Sequence, residues 1–121
     1  MDAEQAIHSF WSSFGVPAYD DNSVPDTAQL PYITYSVSYD SIDNDVSMSA
    51  SLWERTTSWE WLSKKAAEIS EYISRSGKIL LTDNGSVWVR RGHPFYQRIG
   101  NEDKNIKRIM FSVNIEYFQK N

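Results

Sequence analysis

Apolar residues along this chain follow two rhythms, one of three to four residues and one of two. Between Ala3 and Phe14, the residues Ile7, Phe10, Trp11 and Phe14 recur at helical steps, which predicts a helix with one apolar stripe. Gly15 and Pro17 are its stop signals. Val16 to Tyr19 is expected to be a short edge strand. Asp20 to Pro31, rich in Asp, Asn and Pro, reads as a surface connection and a candidate flexible arm. The rhythm then changes to two: Ile33, Tyr35, Val37 and Tyr39 fall on one face of a strand, Thr34, Ser36 and Ser38 on the other. After a loop from Asp40 to Asp45, the hairpin partner running to Arg55 puts Val46, Met48, Ala50 and Leu52 on its buried face. Ser47, Ser49, Ser51 and Trp53 lie opposite, so Trp53 is the odd aromatic on a serine face.

A second amphipathic stretch, Ser58 to Arg75, carries Trp59, Leu62, Ala66, Ile69 and Ile73 on one stripe. Thr57 and Glu60 have the spacing of a capping box, and Gly77 stands where a left-handed residue would close the helix. Lys78 to Leu81 then predicts a strand, Asp83-Asn84-Gly85 a tight turn, and Ser86 to Arg91 its hairpin partner. Gly92-His93-Pro94 breaks that pattern, and Phe95 to Ile99 resumes as a short strand. After a polar turn from Gly100 to Asn105, the last segment alternates Ile109, Phe111, Val113, Ile115 and Tyr117 against Ser112, Asn114 and Glu116, which suits a central strand. These elements predict an α+β fold: a mixed, mainly antiparallel β-sheet packed against two α-helices. With no internal repeat and no second linker, the 121 residues are expected to form a single domain.

Composition narrows the chemistry. Lys and Arg number 12 against 16 Asp and Glu, a formal charge of −4, the wrong sign for a protein that binds by neutralising phosphates. The absence of Cys removes disulfides, thiol chemistry and thiolate metal sites. Asp2 and Glu4 replace the basic start of an export signal, and no apolar run reaches the length of about 18 residues that spanning a bilayer takes. A soluble protein without membrane contact is expected.

The candidate reactive groups are sparse. Asp40, Asp43 and Asp45 crowd one loop, but the segment lacks the ligand order, glycine and closing glutamate of a calcium loop, so a solvated hairpin loop is the preferred reading. His8 flanks the first helical stripe. His93, between Gly92 and Pro94, has no nucleophile or orienting carboxylate nearby in sequence. No catalytic, cofactor or metal site is therefore expected, and a small metal-dependent enzyme built on the aspartates and His93 is the lesser alternative, from a different class. Charge is also divided, with Asp20, Asp21, Asp26, Asp40, Asp43 and Asp45 in the first half and Arg90, Arg91, Arg98, Lys104, Lys107 and Arg108 in the last third. Such asymmetry either orients one subunit against the next or amounts to solvated faces whose ion pairs contribute about 0–1 kcal/mol each. Five Trp, seven Tyr and five Phe, several off the buried stripes, favour an oligomer.

The order helix, hairpin, central helix and antiparallel strands resembles the tail terminator family of long-tailed bacteriophages. That family includes the terminator of phage lambda and the tail completion proteins of phages of Gram-positive hosts. The resemblance covers nearly the whole chain. It rests on its length, its acidic first half, the lead-in Leu30-Pro31-Tyr32-Ile33, the passage from Leu52 to Leu62, and a last strand closing on Glu116-Tyr117. It implies a non-enzymatic protein, made in the host cytoplasm and located at the tail-neck junction of the virion. There a hexameric ring would cap the tube of the major tail tube protein, end its polymerisation and meet a head completion or stopper protein. The genome DNA would pass through an acidic lumen without specific binding. Under this resemblance Trp53, Trp61, Arg90, Arg91 and Arg98 are the expected interface residues. Another neck component, such as a connector-joining protein, is the nearest alternative.

Overall fold

The computed structural model describes residues 1–37 and 45–119. Its first helix, α1 (Ala3–Trp11), begins with a capping box: Asp2 accepts from the Gln5 backbone N–H at 2.8 Å, and the Gln5 side chain accepts from the Asp2 N–H at 2.9 Å. Its stripe is buried as expected, with Ile7, Phe10 and Trp11 inside. The last turn, Ser12–Phe14, tightens into a 3₁₀ helix, and Gly15 ends it at a left-handed φ of 84°.

The strands are β1 (Ala18–Asp20), β2 (Tyr32–Val37), β3 (Asp45–Arg55), β4 (Lys78–Thr82), β5 (Gly85–Ile99) and β6 (Ile106–Gln119), with α2 (Glu60–Ile73) between β3 and β4. They form one curled sheet in the order β1-β2-β3-β6-β5-β4. Only the β1–β2 pair is parallel among those recorded, so the sheet is mixed and mainly antiparallel, and the fold is α+β. The last strand is central, between β3 and β5, as its alternation predicts. The hairpin loop from Asp40 lies outside the described residues up to Asp45, where β3 begins.

The predicted break at Gly92-His93-Pro94 is instead a bulge inside one long strand. Pairing jumps from Arg91↔Val113 to Tyr96↔Phe111, so the residues between Arg91 and Tyr96 lie opposite Ser112 alone. A Pro, which cannot donate to a ladder, is tolerated at such a bulge. Gly92 is needed for closeness, since a Cβ there would stand 2.8 Å from the Ser112 carbonyl oxygen.

Both helices lie on one face of the sheet. Leu62, Ala66, Ile69 and Ile73 of α2 are fully buried against it, together with Leu52, Val87, Val89 and Ile109. α1 touches β1 and β4, the two edges, because the sheet curls around it. Trp11 sits in this trough, its ring centroid 6.1 Å from that of Phe111 on β6.

The ends of α2 differ from expectation. The Thr57–Glu60 capping box does not form; the helix starts two residues later, with Trp59 at the N-cap and no side-chain cap bond. Shorter-range bonds win locally: Thr56 Oγ1 accepts from the Ser58 N–H, and Ser58 Oγ accepts from the Glu60 N–H, both at 3.1 Å. At the other end Ser74, with φ 64°, takes the left-handed position. Gly77 (φ 90°) has another task, to pass beneath Trp88, whose Nε1 would lie 2.5 Å from a Cβ.

These two glycines give a graded prediction. Gly15→Ala meets no side chain closer than 3.8 Å and carries only the left-handed strain, about 1 kcal/mol. Gly77→Ala adds a clash with Trp88 and the Val89 carbonyl, so it should be the more destabilising of the two in urea unfolding.

Candidate functional site: two unlike ends of the sheet

Strand direction sorts the charges. β3 ends at Arg55, which pairs with Ile106 at the start of β6, and β5 ends at Ile99, opposite Arg108. Arg55, Arg98, Lys107 and Arg108 therefore gather at one end of the sheet, where Trp59 leads into α2, together with Glu54 opposite Lys107 and with Asp103, 3.8 Å from the Arg55 guanidinium. Lys107 Nζ is 5.2 Å and the Arg98 guanidinium 4.9 Å from the centroid of the Trp59 ring. Arg98 Nη2 also donates to Ser63 Oγ at 3.4 Å.

On the face away from the helices, the Arg108 guanidinium lies 4.9 Å from the Trp53 ring centroid. Arg108 Nε donates to Ser51 Oγ at 2.9 Å, and Trp53 Nε1 donates to Thr34 Oγ1 at 3.0 Å. Thr34 and Ser51 are the buried polar residues of the described chain, and this layer is what covers them. Trp53 is half-buried, which resolves its odd place on the serine face. Trp61, 36% exposed, stands on the first turn of α2 near Lys65, whose ammonium donates to the Phe14 carbonyl at 2.9 Å.

Of the expected interface residues, Trp53, Trp61 and Arg98 share this end. Arg90 and Arg91 sit mid-strand and, as neighbours on a strand must, point to opposite faces. Arg90 stacks on Trp88, 4.4 Å from its ring centroid, with Glu116 at 3.9 Å. Arg91 donates to Ser70 Oγ of α2 at 2.9 Å. Both are half-buried and bonded within the chain.

The opposite end is acidic. Asp2 and Asp83 line one shallow opening with Phe118, and Glu4 and Asp20 line another with His8 and Tyr35. The N-terminal ammonium of Met1 pairs with Asp83. Burial pushes the Tyr35 phenol above its ordinary value, and the charges of Asp20 and Glu4 push it further. Tyr117 is raised in the same way, by burial and then by Glu4. His8 Nδ1 lies 3.0 Å from the Tyr35 hydroxyl.

Beside this acidic end, on the face away from the helices, the sheet exposes apolar side chains that the sequence reading did not single out. Leu81 is 78% exposed, Ile79 51% and Phe118 46%, and Ile79 pairs across to Trp88. A signal was present: Lys78-Ile79-Leu80-Leu81 does not alternate, so apolar side chains fall on both of its faces.

The metal-enzyme alternative gains no geometry. Among the described residues no group of three or more His, Asp or Glu is placed to hold a metal ion, and His93 is exposed on the bulge. Asp40 and Asp43 lie outside the described residues. No described helix is long and apolar enough to cross a membrane.

With the fold defined as a curled, mainly antiparallel sheet carrying two helices on one face, comparison finds it elsewhere. A chain from the virion of a native gene transfer agent particle superposes with a TM-score of 0.61 at 16% identity, over 96% of this chain and 85% of that one. At that identity the shared property is the fold. No family model matches the chain, and no curated protein does.

The two raised tyrosines set an alkaline limit. A folded state that holds phenolic protons above the ordinary value of 10.0 is fully stabilised below that pH and loses the contribution as pH rises through the folded values. Unfolding free energy should therefore fall above about pH 10. In Tyr117→Phe, titrated by denaturant midpoint against pH, the fall should be shallower.

Proposed function

We propose that this chain is a structural subunit of a phage-type virion and, within it, a tail terminator. Copies would close into a ring, a hexamer on the family resemblance, that caps the tail tube and ends its polymerisation at the tail-neck junction. One face of the ring would meet the major tail tube protein and the other a head completion or stopper protein, while DNA passes through the lumen. The observation that carries this reading is the likeness along 96% of the chain to a virion component of a gene transfer agent particle.

The surface supports it. Exposed Leu81, Ile79, Phe118 and Trp61 are the kind of side chains that cover one another in assemblies, and they stand apart from any constellation of catalytic type. Trp53, Trp61 and Arg98 fit a contact surface at one end of the sheet. Arg90 and Arg91 belong to the proposed contacts at its middle.

Electron microscopy of particles produced without this protein tests the proposal. Overlong tails detached from full heads are expected. Tails of normal length left unjoined would assign the chain to another neck role, and unchanged particles would remove it from the virion.

A further inference from the structure

After its bulge, β5 runs on without a neighbour on its outer side. β4 pairs with β5 from Gly85 only as far as Val89, whereas β5 continues to Ile99 with β6 alone beside it, from Tyr96↔Phe111 to Ile99↔Arg108. Among the described residues no strand covers the outer edge of residues 95–99, and Tyr96, Gln97 and Arg98 are exposed in succession, so both faces are open there. Tyr96 is 42% exposed although it pairs with fully buried Phe111 and so lies on the face that carries the helices. The ring centroids of Phe95 and Phe111 are 5.8 and 6.1 Å from its own. Two residues on, the same face presents Arg98, whose guanidinium rests on Trp59 and reaches Ser63 of α2.

We propose that this edge is a strand-addition site, where an extended segment of a neighbouring virion protein pairs with residues 95–99 as the next strand of the sheet; the inference rests on the reading of this chain as a virion subunit. The edge itself selects an extended backbone, because its outward N–H and C=O groups recur at every second residue and only another strand meets them in register. The side chains select its chemistry: an apolar residue opposite Tyr96 and, two places along, a carboxylate opposite Arg98. β5 has no Asp or Glu from Gly85 to Ile99, so no acid of its own strand competes for the guanidinium. The acids of the adjoining elements are engaged elsewhere. Glu60 of α2 is 3.4 Å from Lys64 and Glu68 3.2 Å from Lys65, while Glu54 stands opposite Lys107 on the far side of β6 and Asp103 pairs with Arg55 of β3. Exposed Glu71 and Glu102 form no ion pair with Arg98 among the described residues. A second copy supplies no matching strand: β1 has three residues, β4 carries a lysine and no acid, and β5 would bring the same arginine and a proline that lacks an N–H.

Backbone hydrogen exchange tests this on the protein in its own particle. In the isolated chain the outward amides of residues 95–99 should exchange fast, and in purified particles the same peptide should exchange at least about tenfold more slowly. Tyr96→Lys with Arg98→Glu alters two exposed side chains on the face the partner strand would read. That variant, shown to be folded by circular dichroism, should enter particles poorly, whereas Gln97→Ala, on the other face, should enter them as the unaltered chain does. Exchange equally fast in the free chain and in particles would overturn strand addition and leave the terminator reading standing. Slowing already present when the isolated chain associates with itself would overturn it too, by making a second copy the occupant. Particles that lack the chain altogether would overturn both.

Discussion

Everything at the surface of this protein depends on how α1 is buried. The helix lies in the trough of a six-stranded sheet and touches both edge strands, so the sheet must curl for the contact to be made. Trp11 and Ile7, both fully buried, fill that trough, and a buried aromatic of this size removes more apolar surface from water than any other single residue of the helix. Phe10 and Phe14 extend the contact to Tyr72 of α2, with ring centroids 5.9 and 5.3 Å away. One aromatic cluster thus joins both helices to the concave face. Among the described residues Trp11 Nε1 has no hydrogen-bond partner, a cost of about 1–3 kcal/mol that the packing of the ring outweighs.

Curling commits the helices to one side and leaves the convex side to be protected by strand side chains alone. The chain does this unevenly. At the end where β3 stops, Trp53 and Arg108 lie flat over Thr34 and Ser51 and close the face with hydrogen bonds and stacking. At mid-strand, Arg90 lies over Trp88 beside Glu116. At the far end no described residue covers Leu81 and Phe118 in a comparable way. A guanidinium on an indole keeps its charge in water while its stem shields the ring, so each covered stretch also presents a cation.

Local periodicity made much of this readable. The α1 stripe, the alternation of β3 and β6 and the buried face of α2 each follow from spacing, because one buried face imposes one period. Tertiary choices were less readable. Gly92 looks like a terminator of structure in sequence, yet its value is the 2.8 Å approach it permits to Ser112, a residue twenty positions later. The Thr57–Glu60 spacing satisfies a capping rule, but the Ser58 hydroxyl takes the Glu60 N–H that the box would have used. For the candidate interface, the structure gathers Trp53, Trp61 and Arg98 at one end of the sheet, and strand geometry separates them from Arg90 and Arg91. Whether an arginine is free to meet a partner depends on what lies across the sheet or on the helix above, here Glu116 and Ser70, and sequence distance hides both.

The charge division has the same origin in non-local geometry. Acidic residues from the first helix, from β1 and from the β4–β5 turn are far apart in sequence, and they converge because β1 runs parallel to β2 while β4 and β5 meet in a hairpin at the same end. Burial is the main cause that raises the Tyr35 and Tyr117 phenols, and the acids gathered here add to it, Asp20 and Glu4 at Tyr35 and Glu4 at Tyr117.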